Sequence, residues 1–342
     1  MSSFGLLDDG RSVESIVLGT DTGLQVEILT YGAILRRLSI PVRGTRRDLI
    51  LGFDSLEEYV RDRAYVGPIV GRFGNRISNS RFTLDGREHV LSANEGANHL
   101  HGGHLGFGKR LWRVVDVNER GRAVLGLHSP DGEEGYPGNL DVSVEFQASG
   151  SSLAITMTAR SDAATPVNLT YHPYFNINAG NGPGNGDSGR APATDQLLRI
   201  PAAHYLPVRA GLIPTGEIAP VEGSTFDFRA SRRLRPPPIE TNAQLALAGG
   251  YDHCWVLAPD ADCACELTSA TRDLVFTMRG TGPGLQFYNG QFLARTHPRI
   301  GSGIILEPQG LPDSPNHPGF PASLARPGET WRARIEYSLR TA

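Results

Sequence analysis

The sequence is poor in lysine and in long apolar runs, and each shortage excludes a class of protein. Lys109 is the only lysine among 33 basic residues, and 36 acidic residues bring the net charge to −3 at pH 7. The chain therefore lacks the positive charge of a general nucleic-acid-binding protein. No apolar run approaches the roughly 20 residues that a membrane-spanning helix needs. We expect neither a nucleic acid nor a membrane as a partner.

Cysteine is also scarce, with Cys254, Cys263 and Cys265 as its three occurrences. An odd and small number of cysteines does not form the disulfide framework of a secreted protein. A Cys-x-Cys pair without nearby partners has poor spacing for zinc. The first residues, MSSFGLLDDGRSV, lack the basic and apolar regions of a signal peptide. These features predict a cytoplasmic location.

Motifs for nucleotide binding and serine hydrolysis are absent or lack their context. No G-x-S-x-G motif occurs. Residues 184–189 match G-x-G-x-x-G, but no strand pattern precedes them and no helix pattern follows. Residues 103–109 match G-x-x-x-x-G-K, but Arg110 follows where a P-loop needs Ser or Thr. We interpret both matches as chance in a chain with 41 glycines.

Alternation of apolar and polar residues is the dominant pattern. It is clearest in four stretches, at residues 140–147, 152–158, 274–278 and 331–339. A period of two is typical of half-buried strands. The persuasive helical pattern is a single short one near 55–65. We therefore predict an all-β fold, an antiparallel sandwich or barrel with few short helices.

No internal repeat and no linker divides the chain. The glycine-rich segment 179–190 and the segment 229–240, rich in arginine and proline, are the most loop-like parts of the sequence. Strand patterns resume on both sides of each segment, so we expect surface loops there. Although length alone suggests about two domains, we expect residues 1–342 to form a single domain.

Six polar segments interrupt the apolar strands, where a β scaffold usually carries its site. In chain order they are GRFGNRI (71–77), NHLHGG (98–103), NLTYHPYFNI (168–177), YDHCWVL (251–257), GLQFYNGQFL (284–293) and IILEPQGLPDSPNHPGFP (304–321). Together they resemble the aldose 1-epimerase family, which is marked by NRI, LHGG, H-x-YFN, DH, QFY and E-x-Q…PD-x-x-N-x-P-x-F-P segments. The resemblance implies a β-supersandwich fold and interconversion of the α and β anomers of a free sugar such as glucose or galactose.

Anomer interconversion needs a base for the C1 hydroxyl proton and an acid for the ring oxygen, and no metal or redox cofactor. Glu307 ends an apolar run and precedes Pro308, which favours extended backbone. A carboxyl group in such a setting has a raised pKa if it is buried; otherwise it is a strand-end group in solvent. The resemblance implies that Glu307 is the base and His172 the acid. A histidine in such surroundings, taken alone, is more often a core histidine with satisfied hydrogen bonds than a catalyst.

The resemblance also implies a set of sugar-binding residues: Asn75, Arg76, His101, Asp252 and Gln286. The closely spaced His99, His101 and His104 raise the alternative of a metal site, but no carboxylate follows at short spacing. We expect no metal, and we expect His99 and His104 to be structural or exposed.

Three alternatives to a mutarotase share these residues. A non-catalytic sugar-binding protein would not need both Glu307 and His172. A hexose-6-phosphate epimerase would need a phosphate site, for which the arginines of 229–235 are the suggestive group. A glycoside hydrolase would need two carboxylates, such as Glu307 and Asp252. The preferred reading is an enzyme without a cofactor, acting on a monosaccharide as a monomer or homodimer.

Overall fold

The computed structural model describes residues 1–118, 121–178, 191–235, 239–297 and 299–341. In this part of the chain the three α-helices are short: α1 spans Leu56–Arg61, α2 spans Ala243–Ala248 and α3 spans Leu293–Thr296. All strand pairs described are antiparallel. The prediction of an antiparallel all-β fold with few short helices is confirmed.

The strands are numbered in chain order. The first fifteen are β1 Ser2–Leu6, β2 Ser12–Gly19, β3 Gln25–Leu29, β4 Ile34–Val42, β5 Thr45–Asp48, β6 Ile69–Val70, β7 Arg76–Ile77, β8 Arg81–Leu84, β9 Arg87–Val90, β10 His99–Leu100, β11 Arg113–Asn118, β12 Arg122–Ser129, β13 Leu140–Ser149, β14 Ser152–Ser161 and β15 Thr165–Pro166. The others are β16 Thr170–Tyr171, β17 Tyr174–Phe175, β18 Leu197–Arg199, β19 His204–Leu206, β20 Val208–Arg209, β21 Ile213–Pro214, β22 Ala219–Pro220, β23 Arg232–Arg233, β24 Asp252–Val256, β25 Cys265–Thr268, β26 Leu274–Gly280, β27 Gly284–Tyr288, β28 Ile304–Gln309, β29 Leu324–Ala325 and β30 Trp331–Thr341.

Three large sheets organise these strands. The first is a five-stranded meander of β1 to β5. The second has nine strands in the order β11-β12-β13-β14-β30-β26-β25-β18-β23, and the third has six in the order β17-β28-β27-β24-β19-β22. Pairs of short strands complete the described fold, among them β7 with β10 and β6 with β16.

The strands predicted from alternation are all present, as β13, β14, β26 and β30. In β13 the side chains of Leu140, Val142, Val144 and Phe146 are buried, whereas Asp141 is exposed. The largest cluster of buried apolar side chains draws on all three large sheets. Burying each such side chain contributes roughly 1.5–3 kcal/mol, so the alternating strands supply much of the stability of the fold.

The predicted helix near 55–65 is present as the shorter α1. Its first turn is closed by a capping box, in which Glu58 N–H donates to the Ser55 hydroxyl and Ser55 N–H donates to the Glu58 carboxylate. Leu56 and Tyr59 bury one face of the helix. At Asp62 the backbone leaves helical geometry, with ψ at 136°. The chain then continues into Arg63, Ala64 and Tyr65, which line a cavity.

Helix α2 was not predicted. The side chain of Asn242 accepts hydrogen bonds from the N–H groups of Gln244 and Leu245, and Gly249 ends the helix in the left-handed region with φ at +67°. Six residues are less than two helical turns, so a 3.6-residue period cannot be recognised in the sequence.

The segment rich in arginine and proline is only partly a loop. Arg232 and Arg233 form β23 at the edge of the nine-stranded sheet, paired with β18. Arg229 pairs with Asp227 at 2.7 Å and Arg235 pairs with Asp195 at 3.0 Å. The expectation of a surface loop is therefore wrong for the two strand residues, because a two-residue strand has no visible alternation. The other predicted loop, 179–190, lies outside the described residues.

None of the described helices combines the length and apolarity that crossing a membrane requires.

Candidate active site

Strands β24, β27 and β28 lie side by side and align three polar residues. Glu307 is the cross-strand partner of Gln286, and Gln286 is the partner of Cys254. Cross-strand partners point to the same face of a sheet. Asp252 is two residues from Cys254 and shares that face. The register of the six-stranded sheet therefore places Asp252, Gln286 and Glu307 together.

Glu307 lies inside β28, which continues to Gln309, so the alternative of a strand-end carboxylate in solvent is wrong. Pro308 is compatible with this strand because β17 pairs only with Ile304 and Ile305. At Pro308 the strand has a ladder partner only on the β27 side. The Glu307 residue is only 2% exposed, in keeping with its position inside the strand.

The buried carboxyl group of Glu307 lacks a full set of hydrogen-bond partners among the described residues. Its Oε1 atom has no hydrogen-bond partner among the described residues. Burial raises the pKa of Glu307 well above its ordinary value, Asp252 adds to the rise, and Arg76 opposes it. A buried acceptor without a partner is costly in a folded protein, so this atom is available to a hydroxyl donor from a ligand.

Asp252 belongs to a charged network beside Glu307. Gln286 donates from Nε2 to Asp252 Oδ1 at 2.6 Å, and Arg76 Nη1 lies 3.7 Å from Asp252 Oδ2. Burial raises the pKa of Asp252, and Arg76 opposes that rise. The Oε1 atom of Gln286 is a second buried acceptor without a partner among the described residues. The network thus offers the acceptor oxygens of Asp252 and Gln286 to a ligand with hydroxyl groups.

Arg76 is held by a residue that the sequence analysis did not identify. Glu95 accepts from Nε and Nη2 of Arg76 at 2.7 Å each, in a bidentate pair. Its signal in the sequence is weak, because it is an isolated acid three residues before the NHLHGG segment. The Arg76 guanidinium is thus shared between Glu95, at 2.7 Å, and Asp252, at 3.7 Å.

His172 lies between the short strands β16 and β17. Its Nδ1 donates to the backbone carbonyl oxygen of Tyr65 at 2.7 Å. A carbonyl oxygen only accepts, so the Nδ1 atom carries a proton and Nε2 is the nitrogen left for a ligand. Burial lowers the pKa of His172 to about 4, against the opposing effect of the Tyr65 carbonyl. The ring is therefore neutral near pH 7.

His101 has the opposite tautomer. Its Nδ1 accepts the backbone N–H of Asn75 at 3.1 Å, so the proton of the neutral ring is on Nε2. Burial lowers the pKa of His101 well below its ordinary value, and His172 and Arg76 add to that effect. The two histidine rings meet edge to face with centroids 5.3 Å apart. One ring thus offers an N–H donor and the other an unprotonated nitrogen.

Aromatic side chains wall the site. Tyr65, which the sequence analysis did not identify, has its ring centroid 4.8 Å from that of His101 and 5.8 Å from that of His172. The ring centroid of Tyr174 lies 5.5 Å from that of His172. Phe175 belongs to the core instead, and its ring centroid lies 4.9 Å from that of Phe276.

A single cavity of about 400 Å³ joins these groups. All seven residues that the sequence analysis assigned to the site line it: Asn75, Arg76, His101, His172, Asp252, Gln286 and Glu307. Tyr65, Glu95, Gln291, Phe292 and Arg295 are among the other lining residues. The arginines of 229–235 do not line it.

The closely spaced histidines do not converge on one point. His99 is fully buried, with Nδ1 2.7 Å from the Ser92 carbonyl oxygen and Nε2 2.8 Å from the Tyr136 hydroxyl. Both of its ring nitrogens are thus engaged in a structural role, and His104 is exposed. In the described part of the chain, no group of three or more His, Cys, Asp or Glu side chains is placed to hold a metal ion.

The fold and the cavity define an antiparallel β protein that brings a buried carboxyl group and two histidines into one cavity. The sequence model of the aldose 1-epimerase family matches residues 14–338. The chain is 37% identical over 348 residues to aldose 1-epimerase of Escherichia coli K12, covering 98% of this chain and 97% of that protein. It is 41% identical over 352 residues to galactose mutarotase of Mus musculus, covering 99% and 98%.

Solved structures agree with the sequence comparisons. Galactose 1-epimerase from Lactobacillus acidophilus aligns with a TM-score of 0.85 and 28% identity, over 99% of this chain and 98% of that chain. An aldose epimerase homologue from C. elegans aligns with a TM-score of 0.84 and 26% identity, over 96% and 99%. The chain belongs to the aldose 1-epimerase family, and the fold implied by the resemblance is confirmed.

Proposed function

We propose that this chain is an aldose 1-epimerase that interconverts the α and β anomers of free aldoses such as galactose and glucose, with Glu307 as base and His172 as acid. The observation that carries the proposal is the single cavity lined by all seven expected residues. Within it, Glu307 Oε1 lacks a partner among the described residues. The chain is thus an isomerase that uses only its own side chains and a monosaccharide.

In the proposed reaction, Glu307 takes the proton of the C1 hydroxyl as His172 Nε2 gives a proton to the ring oxygen. The C1–ring oxygen bond breaks and an open-chain aldehyde forms. After rotation about C1–C2, the ring oxygen adds to the other face of C1, and the two protons return. General acid and general base catalysis each contribute roughly 10²–10⁴-fold, which suffices without a cofactor.

The protonation states of the pair favour sharing of a single proton. Burial favours protonated Glu307 and neutral His172. The reactive form, with ionised Glu307 and protonated His172, holds the same number of protons. Sugar hydroxyl groups that donate to Glu307 stabilise its ionised form, so substrate binding moves the proton toward His172.

The remaining five residues are proposed to hold sugar hydroxyl groups. Asp252 and Gln286 offer acceptor oxygens, and the Nε2–H of His101 is a donor of fixed direction. Arg76, positioned by Glu95, and the side chain of Asn75 complete the set. A hexose ring, which carries both donors and acceptors, matches this mixture.

The alternatives are less well supported. Three of the arginines of 229–235 that a phosphate site would use are paired with carboxylates: Arg229 with Asp227, and Arg233 and Arg235 with Asp195. The fourth, Arg232, donates to the Thr225 carbonyl oxygen and the Tyr251 hydroxyl. Asp252, the second carboxylate of a hydrolase, is engaged by Gln286 and Arg76. A purely sugar-binding protein would not require a buried carboxyl group whose Oε1 lacks a partner among the described residues, in one cavity with a histidine of fixed tautomer.

The direct test is polarimetry of freshly dissolved α-D-galactose and α-D-glucose with and without the protein. We expect both rotations to reach equilibrium faster with the wild type. Glu307→Gln should lower kcat by about 10²-fold or more with a small change in KM. Glu27→Gln is a matched control, since Glu27 pairs with Arg36 at 2.6 Å and does not line the cavity.

A Glu307→Gln protein that is folded by circular dichroism and equilibrates galactose at the wild-type rate would contradict the proposed base. Calorimetric binding of galactose without faster mutarotation would instead support the non-catalytic alternative. Release of nitrophenol from a nitrophenyl galactoside would support the hydrolase.

We also propose that residues 1–342 form one domain in the cytoplasm. The main apolar cluster spans Ile16 to Leu339, which supports a single core. The three cysteines, all in the described part, are free and buried, as suits a reducing compartment. The choice between monomer and homodimer stays a prediction for light scattering.

A further inference from the structure

We propose that Asp62 is a positioning residue for His172. It holds the turn that carries Tyr65, and through the Tyr65 carbonyl it determines which ring nitrogen of His172 bears the proton. The inference rests on the acid role of His172 proposed above, but it concerns a residue outside the six motifs.

The carboxylate of Asp62 holds the turn from both sides of Tyr65. Its Oδ1 accepts the backbone N–H of Ala64 at 2.7 Å, and its Oδ2 accepts the backbone N–H of Val66 at 2.7 Å. Tyr65 between them has φ at +57°, a left-handed conformation that side chains with a Cβ rarely adopt. Asp62 is 9% exposed, so water does not replace these bonds easily. The carboxylate therefore stabilises an otherwise unfavourable turn.

The same turn and the two residues after it hold His172 through three hydrogen bonds. Its ring donates from Nδ1 to the Tyr65 carbonyl oxygen at 2.7 Å. Its backbone carbonyl accepts from Gly67 N–H, and its backbone N–H donates to the Pro68 carbonyl, both at 3.1 Å. Movement of the turn would release the ring while the backbone stayed attached. The hydrogen bond at one nitrogen decides what the other nitrogen can do, so the turn sets the chemistry at Nε2.

Asp62 also contacts the segment that follows α3. His297, which follows α3, has its Nε2 3.1 Å from Asp62 Oδ1. The segment just before it contributes Gln291, Phe292 and Arg295 to the cavity lining. One buried carboxylate thus ties the support of His172 to the segment that borders the substrate.

The test is Asp62→Asn, which keeps the size of the side chain but turns one acceptor into an N–H donor. That donor faces a backbone N–H group, so the turn loses a bond and gains a repulsion. We expect kcat for α-D-galactose mutarotation to fall about 10-fold or more, with a smaller change in KM. Nitrogen-15 NMR should show His172 as the Nδ1–H tautomer in the wild type and as a mixture of tautomers in the variant. The His172 signals are identified by their loss in His172→Asn.

The matched control is Asp273→Asn. Asp273 is a buried carboxylate that accepts from Arg47, Ser269 and Thr271, and neither it nor these partners line the cavity. This variant should lose stability but keep kcat and the His172 spectrum. Equal losses of kcat in both variants would overturn the inference.

The tautomer signal separates the two proposals. An unchanged His172 tautomer in Asp62→Asn overturns the positioning role, whatever happens to kcat. An Nε2–H tautomer in the wild type overturns it too, and needs no variant that folds. A wild type with the expected tautomer but no mutarotase activity overturns the proposed function and leaves the positioning of His172 supported.

Discussion

Asn75 and His101 hydrogen-bond each other in both directions. The backbone N–H of Asn75 donates to Nδ1 of His101 at 3.1 Å, and the backbone N–H of His101 donates to the Asn75 carbonyl at 3.1 Å. The two residues have left-handed φ angles of +66° and +52° and come from different motifs. The pair fixes the tautomer of His101 and directs an N–H donor into the cavity.

This geometry makes His101→Asn an informative variant. The asparagine oxygen can replace Nδ1 as the acceptor for Asn75, while the Nε2–H donor is lost. Loss of one hydrogen bond of roughly 0.5–1.5 kcal/mol should raise KM for galactose about 2- to 10-fold with little change in thermal stability. Steady-state polarimetry and a melting curve measure the two effects. A wild-type KM would mean that His101 does not bind the sugar.

His172→Asn should lower kcat by about 10²-fold or more. The asparagine amide can still donate to the Tyr65 carbonyl, so the fold is retained while the acid is removed. Because the two residues exchange protons in one reaction, the double variant with Glu307→Gln should lose much less than the product of the single losses. A full multiplication of the losses in polarimetric rates would argue against a shared step.

The pH profile of kcat/KM should be a broad bell. Burial lowers the pKa of His172 to about 4 and raises that of Glu307 well above its ordinary value. Between these two pKa values, Glu307 and His172 together hold one proton. They gain a second proton below about pH 4, and they lose the one they share above the raised pKa of Glu307. The residual activity of His172→Asn should instead rise with pH, since only ionised Glu307 is then needed. An alkaline limb that persists in this variant would contradict the assignment.

Asp252→Asn should raise KM more than it lowers kcat. The amide retains the size of the side chain but loses the negative charge opposite Arg76, which lies 3.7 Å away. Its proposed task is to hold hydroxyl groups in both the ground state and the transition state, and removal of such binding acts mainly on KM. If kcat falls as far as in Glu307→Gln, Asp252 takes part in proton transfer.

The buried Arg47–Asp273 pair should be important for stability. Arg47 donates two bonds of 2.9 Å to Asp273, and both side chains are at most 10% exposed. Arg47→Met leaves the carboxylate buried without its partner and should cost about 3 kcal/mol in urea unfolding at pH 7. Arg43→Met is the control, because Arg43 is 68% exposed at 3.6 Å from the same group. It should cost less than about 1 kcal/mol.

The stability contributed by the Arg47–Asp273 pair should depend on pH. The hydrogen bonds from Arg47 lower the pKa of Asp273, against the opposing effect of burial. A lowered pKa stabilises the folded state above the unfolded value of about 3.9. The difference between wild type and Arg47→Met should therefore shrink as the pH falls below about 4. A difference that is constant down to pH 2 would show that the ion pair is not its source.

Much of the strand content could be predicted from the sequence, because alternation is a local property. The long strands β13, β14, β26 and β30 each show several cycles of it. Two-residue strands such as β23 span a single period of two, and the six-residue helix α2 spans less than two helical turns, so neither repeats its pattern. Their conformation depends on edge pairing and capping partners elsewhere in the chain, so they could not be recognised.

The site residues that belong to sequence motifs were predicted, and those that stand alone in the sequence were missed. All seven expected residues line the cavity. Glu95, Tyr65 and Asp62 were missed, since nothing adjacent to them in the sequence indicates a role. Glu95 is 19 residues from Arg76, and Tyr65 is 107 residues from His172. Only folding brings these partners together.

The sequence by itself determined the type of fold and the seven motif residues that line the cavity, because periodicity and motif order are properties of the linear chain. The tertiary structure alone decided the protonation of that site. His101 and His172 are the same residue type, but partners from distant segments give them opposite tautomers. Glu307 has a raised pKa because the strands and loops around it exclude water, and desolvation depends on packing in three dimensions.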